Sequence, residues 1–248
     1  MTTTSWLIDQ LDALLSPQSF EDFGPNGLQV PGATEVHTVA TGVSASVALF
    51  ERAAAAGAQL VLVHHGLFWK GMPQHVDAAL HRRLKPLFAH DLALAAYHLP
   101  LDAHPEVGNN ALLAEGLGCD AREPFGDIGQ VARFEGDGIP RAELVDRVRA
   151  LTEREPLHLD FGPERIRSLG IVSGGGSSYL EASVAAGHDA FLTGEPAERV
   201  MAQAREAGVH FLAAGHYATE TFGVRRLGAL LEETHGIGHV FLPDPNPI

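Results

Sequence analysis

Cysteine is almost missing from this chain: Cys119 stands alone among 248 residues. An internal disulfide is therefore excluded, and the chain reads as one made for a reducing compartment. Basic charge is also scarce. Seventeen Lys and Arg face thirty-one Asp and Glu, for a formal net charge of −14, and the densest basic patches are only Arg225-Arg226 and His81-Arg82-Arg83. Such a surface repels phosphate backbones, which disfavours nucleic acid as a partner. No uncharged apolar run approaches the ~18 residues of a membrane span. The first residues carry neither the basic start nor the apolar core of a secretory signal, so a cytoplasmic location is expected. Nor is the composition that of a disordered chain, with 45% hydrophobic and 19% charged residues. Histidine, in contrast, is plentiful at fourteen, and a metal site is worth seeking.

The apolar pattern alternates helix and strand. Ser5 to Leu15 reads as a helix stopped by Pro17, and Leu28-Gln29-Val30 as an extended stretch after the turn cluster Phe23 to Gly27. A strand is expected over Val36 to Gly42, then an Ala-rich helix from Ser44 to Ala56 closed by Gly57. Leu60 to Val63 is a continuous apolar run, as in a buried parallel strand, and His64-His65-Gly66 follow at once. Leu80 to His90 looks helical and Leu92 to Tyr97 extended; Pro100 is expected to keep the approach to Asp102 extended as well. Asn110 to Leu117 is helical. Beyond a less regular middle, with strands at Val131 to Phe134 and Leu157 to Leu159 around a helix from Arg141 to Leu151, the rhythm returns. Strands are expected at Ile166 to Val172, Ala190 to Thr193 and Val209 to Ala213, and helices at Tyr179 to Ala186, Ala197 to Ala207 and Thr219 to Glu232. Alternation of this kind argues an α/β fold.

An internal repeat is visible at an offset of 130. Val39-Ala40-Thr41-Gly42 through Ala55-Ala56-Gly57 to His64-His65 matches Leu169-Gly170-Ile171-Val172 through Ala185-Ala186-Gly187 to Gly194-Glu195. In that frame His65 corresponds to Glu195. Ala-rich βαβ units also resemble one another without kinship. The expected organisation is two interlinked α/β domains related by this approximate repeat. Residues 1–124 would carry His64, His65 and Asp102, and 125–248 would return His216 and Glu220 to the same metal site.

Ligands of open α/β sheets sit beyond the carboxyl ends of the strands. The polar residues at those ends are His64 and His65, His98 and Asp102, Glu195, and His216 with Glu220. Neighbours in a strand point to opposite faces, so His64 and His65 converge only if the chain turns after them, which Gly66 permits, or else serve two metals side by side. His216 and Glu220, four apart at a helix start, share one face. Three histidines and two carboxylates suit Zn²⁺, Fe²⁺, Mn²⁺ or Co²⁺ better than Ca²⁺ or Mg²⁺ alone, and five ligands suit two metals bridged by a carboxylate. Weaker signals are the loop Ser173-Gly174-Gly175-Gly176-Ser177, a candidate phosphate cradle or a tight turn, and Phe68-Trp69 beside the His pair, a base-stacking or packing surface.

Several longer motifs together resemble one family. They are Pro25-Asn26-Gly27-Leu28-Gln29-Val30, Val63 to Gly71, His98 to Pro105, Thr193-Gly194-Glu195 and Ala213 to Glu220. The resemblance is to the dinuclear-metal, ring-forming Nif-three-like proteins, often labelled GTP cyclohydrolase 1 type 2 homologs, and among these to the short bacterial members. It runs nearly end to end and is weakest between about 120 and 165. It implies two α/β domains, a toroidal homo-hexamer built as a trimer of dimers, and two divalent transition-metal ions (Zn, Fe or Mn) per subunit facing the inner cavity. Carried over by motif, the metal ligands are His64, His65, Asp102, His216 and Glu220, with His98 and Glu195 lining the pocket. The family often has Pro after the His pair where this chain has Gly66, a departure expected to alter the turn and not the ligand set. The expected arrangement places His65 and Asp102 on one metal, His64 and His216 on the other, with Glu220 bridging.

Two functions are open at this point. One is a metal-dependent hydrolase, cyclohydrolase-like, on a nucleotide-like or small heterocyclic substrate, in which His98 or Glu195 shuttles a proton or orients the substrate. Lys70, Arg82 and Arg83 are then the nearest candidates for holding a triphosphate. The other is a metal carrier or cofactor-assembly protein without turnover. A ring that encircles DNA is disfavoured by the net charge.

Overall fold

In the computed structural model, which describes residues 2–248, the fold is mixed α/β. The chain divides into two compact units. The first combines the residues up to Leu101 with Gly223–Asp244, and the second combines Asp102–Phe222 with Pro245–Ile248. The cut thus falls at 101/102 and not at the expected 124/125. The reason is local: the helix Asn109–Gly116 packs on the strand Gly129–Arg133, which belongs to the second unit. Among the described residues no helix is long and apolar enough to cross a membrane.

The first unit is built on a five-stranded sheet, in the order Gly27–Val30, Ala93–Ala96, Leu60–His65, Thr38–Ser44, Gly238–Phe241. Only the edge strand Gly27–Val30 is antiparallel. Leu60, Val61, Leu62 and Val63 are all fully buried, because helices cover both faces of a parallel sheet and leave no polar side to alternate with. The helix Val47–Ala55 starts where the Ser46 hydroxyl accepts from the Leu49 N–H at 3.1 Å. It seats Leu49 and Phe50 in a core with Val61, Val63, Leu92 and Leu94. The helix Ala78–Ala89 starts in the same manner on the Asp77 carboxylate, which takes the N–H groups of Ala79 and Leu80 at 2.9 and 2.8 Å.

The second unit carries a six-stranded sheet, in the order Ala121–Phe125, Gly129–Arg133, Ser168–Ile171, Ala190–Thr193, His210–Ala213, Leu157–Leu159. Its three parallel strands are Ser168–Ile171, Ala190–Thr193 and His210–Ala213, flanked on both sides by antiparallel ones. The parallel register pairs Leu169 with Ala190 and Ile171 with Leu192. In the first sheet Val39 pairs with Leu60 and Thr41 with Leu62. Gly57 and Gly187, which end the two connecting helices, both sit at positive φ (72° and 77°).

Some elements differ from expectation. Leu99–Ala103 is a short helix and not an extended approach. Proline's fixed φ suits the first helical turn as well as an extended chain. The stretch expected as one strand from Ile166 divides into Arg165–Ile166, paired with Ile139–Pro140, and Ser168–Ile171. The final helix starts at Thr221 and reaches His235, preceded by the turn-length helix His216–Thr219. Ala121–Phe125 was not anticipated; it is a mostly exposed edge strand holding Pro124, a place where proline is tolerated.

Truncating Phe50 to alanine removes a fully buried ring from the first core. A loss of about 3–5 kcal/mol is expected in urea denaturation.

Candidate metal centre

In the first unit three imidazoles meet. His64 and His65 end the strand Leu60–His65, and His98 follows the neighbouring strand Ala93–Ala96. One ring nitrogen from each lies within 4.8 Å of the others, and the His64 and His65 rings are 4.7 Å apart. His64 is fully buried. Its Nδ1 lies 2.9 Å from the Tyr97 carbonyl, which can only accept, so Nδ1 carries the proton and Nε2 the lone pair. His65 Nδ1 is held by the Ser44 hydroxyl at 3.0 Å. Gly66 lies against the Gln29 amide, where a side chain would have to displace it. Gln29 in turn accepts from the Leu67 N–H at 2.7 Å and donates to the Pro25 carbonyl at 2.8 Å, fixing the chain after the His pair.

His98 is anchored by a residue the sequence reading missed. Its Nδ1 lies 2.7 Å from Oδ1 of Asp22, a buried carboxylate. Asp22 also accepts from Asn26 and from the Leu99 N–H, both at 2.9 Å, while Asn26 accepts from the His98 N–H at 2.8 Å. Burial alone would raise the Asp22 pKa, but His98, Asn26 and the Leu99 N–H outweigh it and hold it at about 2. Trp69 stands edge-on to His98 with ring centres 5.1 Å apart. It also lines a cavity of about 480 Å³ with Lys70, Met72, His75 and Leu80.

In the second unit two buried carboxylates and one imidazole meet. Asp102 and Glu220 are 5% and 3% exposed, and one oxygen of each lies within 4.8 Å of the other. Asp102 Oδ1 accepts from Asn109 Nδ2 at 2.9 Å and from the Ser173 hydroxyl at 3.1 Å. His216 lies between two carboxylates: Nε2 is 3.1 Å from Glu220 Oε1, and Nδ1 is hydrogen-bonded to Glu195. Burial disfavours the imidazolium, yet Glu220 and Glu195 outweigh it and raise the pKa to about 9. Without a metal, a proton on His216 thus offsets the acidic pair.

The glycine loop serves this cluster. Ser173 binds Asp102, and the Gly174 N–H donates to the Thr219 hydroxyl at 3.0 Å. The Gly174 carbonyl accepts from the N–H groups of Gly194 and Glu195, both at 2.9 Å. Gly174 has φ 58°, and a Cβ there would fall within the Glu220 carboxylate and close to His216 Nε2. Only glycine leaves that room. Glu195 further lines a cavity of about 310 Å³ with Arg154, Leu157, Gly194 and Gly215. Arg154, a cation beside that acid, carried no motif that marked it in the sequence. Cys119 takes no part; burial raises its thiol pKa, which does not suit a nucleophile.

The donors on both units fit divalent transition metals: imidazole nitrogens turned by anchored partners, and buried carboxylates in a cradle kept open by Gly174. Comparisons with known proteins identify relatives. A family model for Duf34/NIF3 (NGG1p interacting factor 3) matches residues 2–247. The chain is 44% identical to the GTP cyclohydrolase 1 type 2 homolog of Pseudomonas aeruginosa over 98% of both chains. Its Escherichia coli counterpart of the same name is 43% identical over 94% of both chains. Among solved structures, a protein called ybgI superposes with a TM-score of 0.95 at 40% identity, covering 100% of both chains. Reduced HcgD from Methanocaldococcus jannaschii shares the fold, with a TM-score of 0.85 at 21% identity over 97% of this chain and 98% of that one.

Two outcomes are expected. In metal-free protein the His216 ring protons, followed by NMR, titrate near 9, and Glu195→Gln lowers that midpoint. Because the folded value lies above the ordinary 6.5, the linked stability is complete below 6.5 and is lost as pH rises through about 9. Gly174→Ala is expected to cost about 1–3 kcal/mol by denaturation and to displace the Glu220 carboxylate in a crystal structure.

Proposed function

The chain belongs to the Duf34/NIF3 family, and we propose that it is a dinuclear-metal hydrolase acting on a small, nucleotide-like heterocycle. His64, His65, Asp102, His216 and Glu220 would hold two divalent transition-metal ions such as Zn²⁺, Fe²⁺ or Mn²⁺. The observation that carries this reading is the presentation of the imidazoles. Tyr97, Ser44 and Glu195 engage Nδ1 of His64, His65 and His216, which directs Nε2 to a ligand. Chain continuity supports it too: His98 and Asp102 are four residues apart, within the reach of ~14 Å that such a segment allows even when extended. Bound there, the ions would supply Lewis acidity, activating water and offsetting charge on the leaving group.

The chain's own residues complete the chemistry. Glu195 accepts the Nδ1 proton of His216 and keeps its ring turned for coordination. Asp22 does the same for His98, whose Nε2 then orients the substrate or moves a proton at the attacked carbon. Arg154 offers the anionic part of the substrate a cation in the Glu195 cavity. Lys70 is exposed and paired with Glu21 at 3.4 Å, and is a weaker candidate for that task. The name shared by the relatives points to GTP as the first substrate to test, opened hydrolytically at C8 of the guanine ring. A ring of six copies, as a trimer of dimers, belongs to the same proposal. Light scattering should give about six times the 26.4 kDa chain mass.

Protein purified without chelator is expected to carry about two transition-metal ions per chain by plasma mass spectrometry, and Glu220→Gln to lose metal while remaining folded. Arg154→Gln should raise KM more than it lowers kcat on the accepted nucleotide. Absence of turnover by the metal-loaded protein across purine nucleotides and phosphoesters would discard the hydrolase. Rapid metal release to an acceptor would then favour the carrier reading.

A further inference from the structure

A second group of ligand-type side chains lies at the edge of the six-stranded sheet, where Leu157–Leu159 pairs antiparallel with His210–Ala213. The register sets His158 opposite Leu212 and Leu159 opposite Phe211, so Asp160 comes next to His210. Alternation puts His158, Asp160 and His210 on one face of the strand pair. Leu157 and Ala213, on the other face, line the cavity of Glu195 and Arg154. The group is therefore separate from the centre described above.

We propose that His158, Asp160 and His210 form a mononuclear site for a divalent transition-metal ion of the Zn²⁺ class. His158 Nε2 lies 3.2 Å from His210 Nδ1, which is 3.3 Å from Asp160 Oδ1, and the three ligand atoms are mutually within 4.8 Å. A tetrahedral ion with bonds of ~2.0–2.1 Å holds neighbouring ligand atoms about 3.3–3.4 Å apart. Two of the three edges already have that length, and the third ends on an exposed carboxylate with room to move.

The hydrogen bonding of His210 favours a cation here. Its Nε2 is 2.7 Å from the Pro163 carbonyl and must carry the proton, so Nδ1 of the neutral ring is a lone pair. That lone pair faces His158 Nε2, Asp160 Oδ1 and the Gly162 N–H together. One ion would be reached by all three side chains. Arg141 Nε lies 3.3 Å from Oδ2 of Asp160, which turns Oδ1 toward the histidines. Gly162 lies flat against the His210 ring, where a Cβ would collide with it, and its N–H is 3.4 Å from Nδ1. His210 is buried, His158 half-buried and Asp160 exposed, so one side of the ion stays open to water. Two imidazoles, one carboxylate and an open position suit Zn²⁺ among available metals.

The test is zinc-edge anomalous diffraction from crystals of the full chain soaked in ZnCl₂, for the wild type, His158→Ala and Asp160→Asn. A peak between the three side chains in the wild type, lost in either variant while peaks elsewhere persist, supports the site. No peak at that position in the wild type, or one retained in both variants, overturns it. Equilibrium dialysis against Co²⁺ gives the same answer in solution: the variants should bind one equivalent fewer than the wild type, and equal stoichiometry would refute the proposal. Asp160→Asn changes an exposed group and keeps the test usable if His158→Ala fails to fold.

Discussion

The arrangement depends on how Nδ1 of each imidazole is held. His64 donates to the Tyr97 carbonyl, His65 meets Ser44, His98 meets Asp22, and His216 meets Glu195. Each partner belongs to the same unit as its histidine. An imidazole held at Nδ1 has its ring plane and tautomer set before any ligand arrives, and Nε2 is the atom it offers. The anchors are themselves fixed. Tyr97 donates its hydroxyl to Asp12 at 2.5 Å, and Asp22 takes donors from three other groups. Each group of imidazoles is thus prepared within its own unit by hydrogen bonds.

Burial imposes the complementary demand on the carboxylates. Asp102 and Glu220 lie in surroundings that penalise charge, and water cannot compensate them. The fold answers with donors at short range: Asn109 and Ser173 on Asp102, and His216 on Glu220. Gly174 lets the loop close over these groups; its own N–H donates to the Thr219 hydroxyl and its carbonyl accepts from the Gly194 N–H. In both sheets polar groups stand at the ends of apolar parallel strands: His64-His65 close Leu60–His65, and Gly194-Glu195 follow Ala190–Thr193.

Much of this was legible in the sequence, because buried parallel strands are written as unbroken apolar runs. Leu60 to Val63 and Ala190 to Thr193 announce themselves in that way, and so do the polar residues that follow them. Caps such as Ser46 and stops such as Gly57 are likewise chemical signals of a few residues. What stayed hidden depends on distant partners. Asp22 lies in an irregular stretch far from His98 in sequence, and no period marks it as an anchor. Pro100 reads equally well as extension or helix start, because one φ serves both. The strand Gly238–Phe241 is short and half-exposed, and its meaning comes from pairing His239 with Val39. The unit boundary at 101/102 followed from the packing of Asn109–Gly116, which local pattern cannot specify.

That last strand has a consequence for the order of events during synthesis. Thr38–Ser44 emerges from the ribosome some two hundred residues before Gly238–Phe241, its parallel neighbour. Until then the first sheet has an open edge, with the unpaired N–H and C=O groups that invite foreign strands. The first unit therefore cannot complete its sheet as it is made, whereas the second sheet is closed by residues that precede Phe222. A nascent chain of this topology has its second sheet ready to form before its first is complete, reversing the usual order, and its early half depends longest on whatever shields exposed strands in the cell.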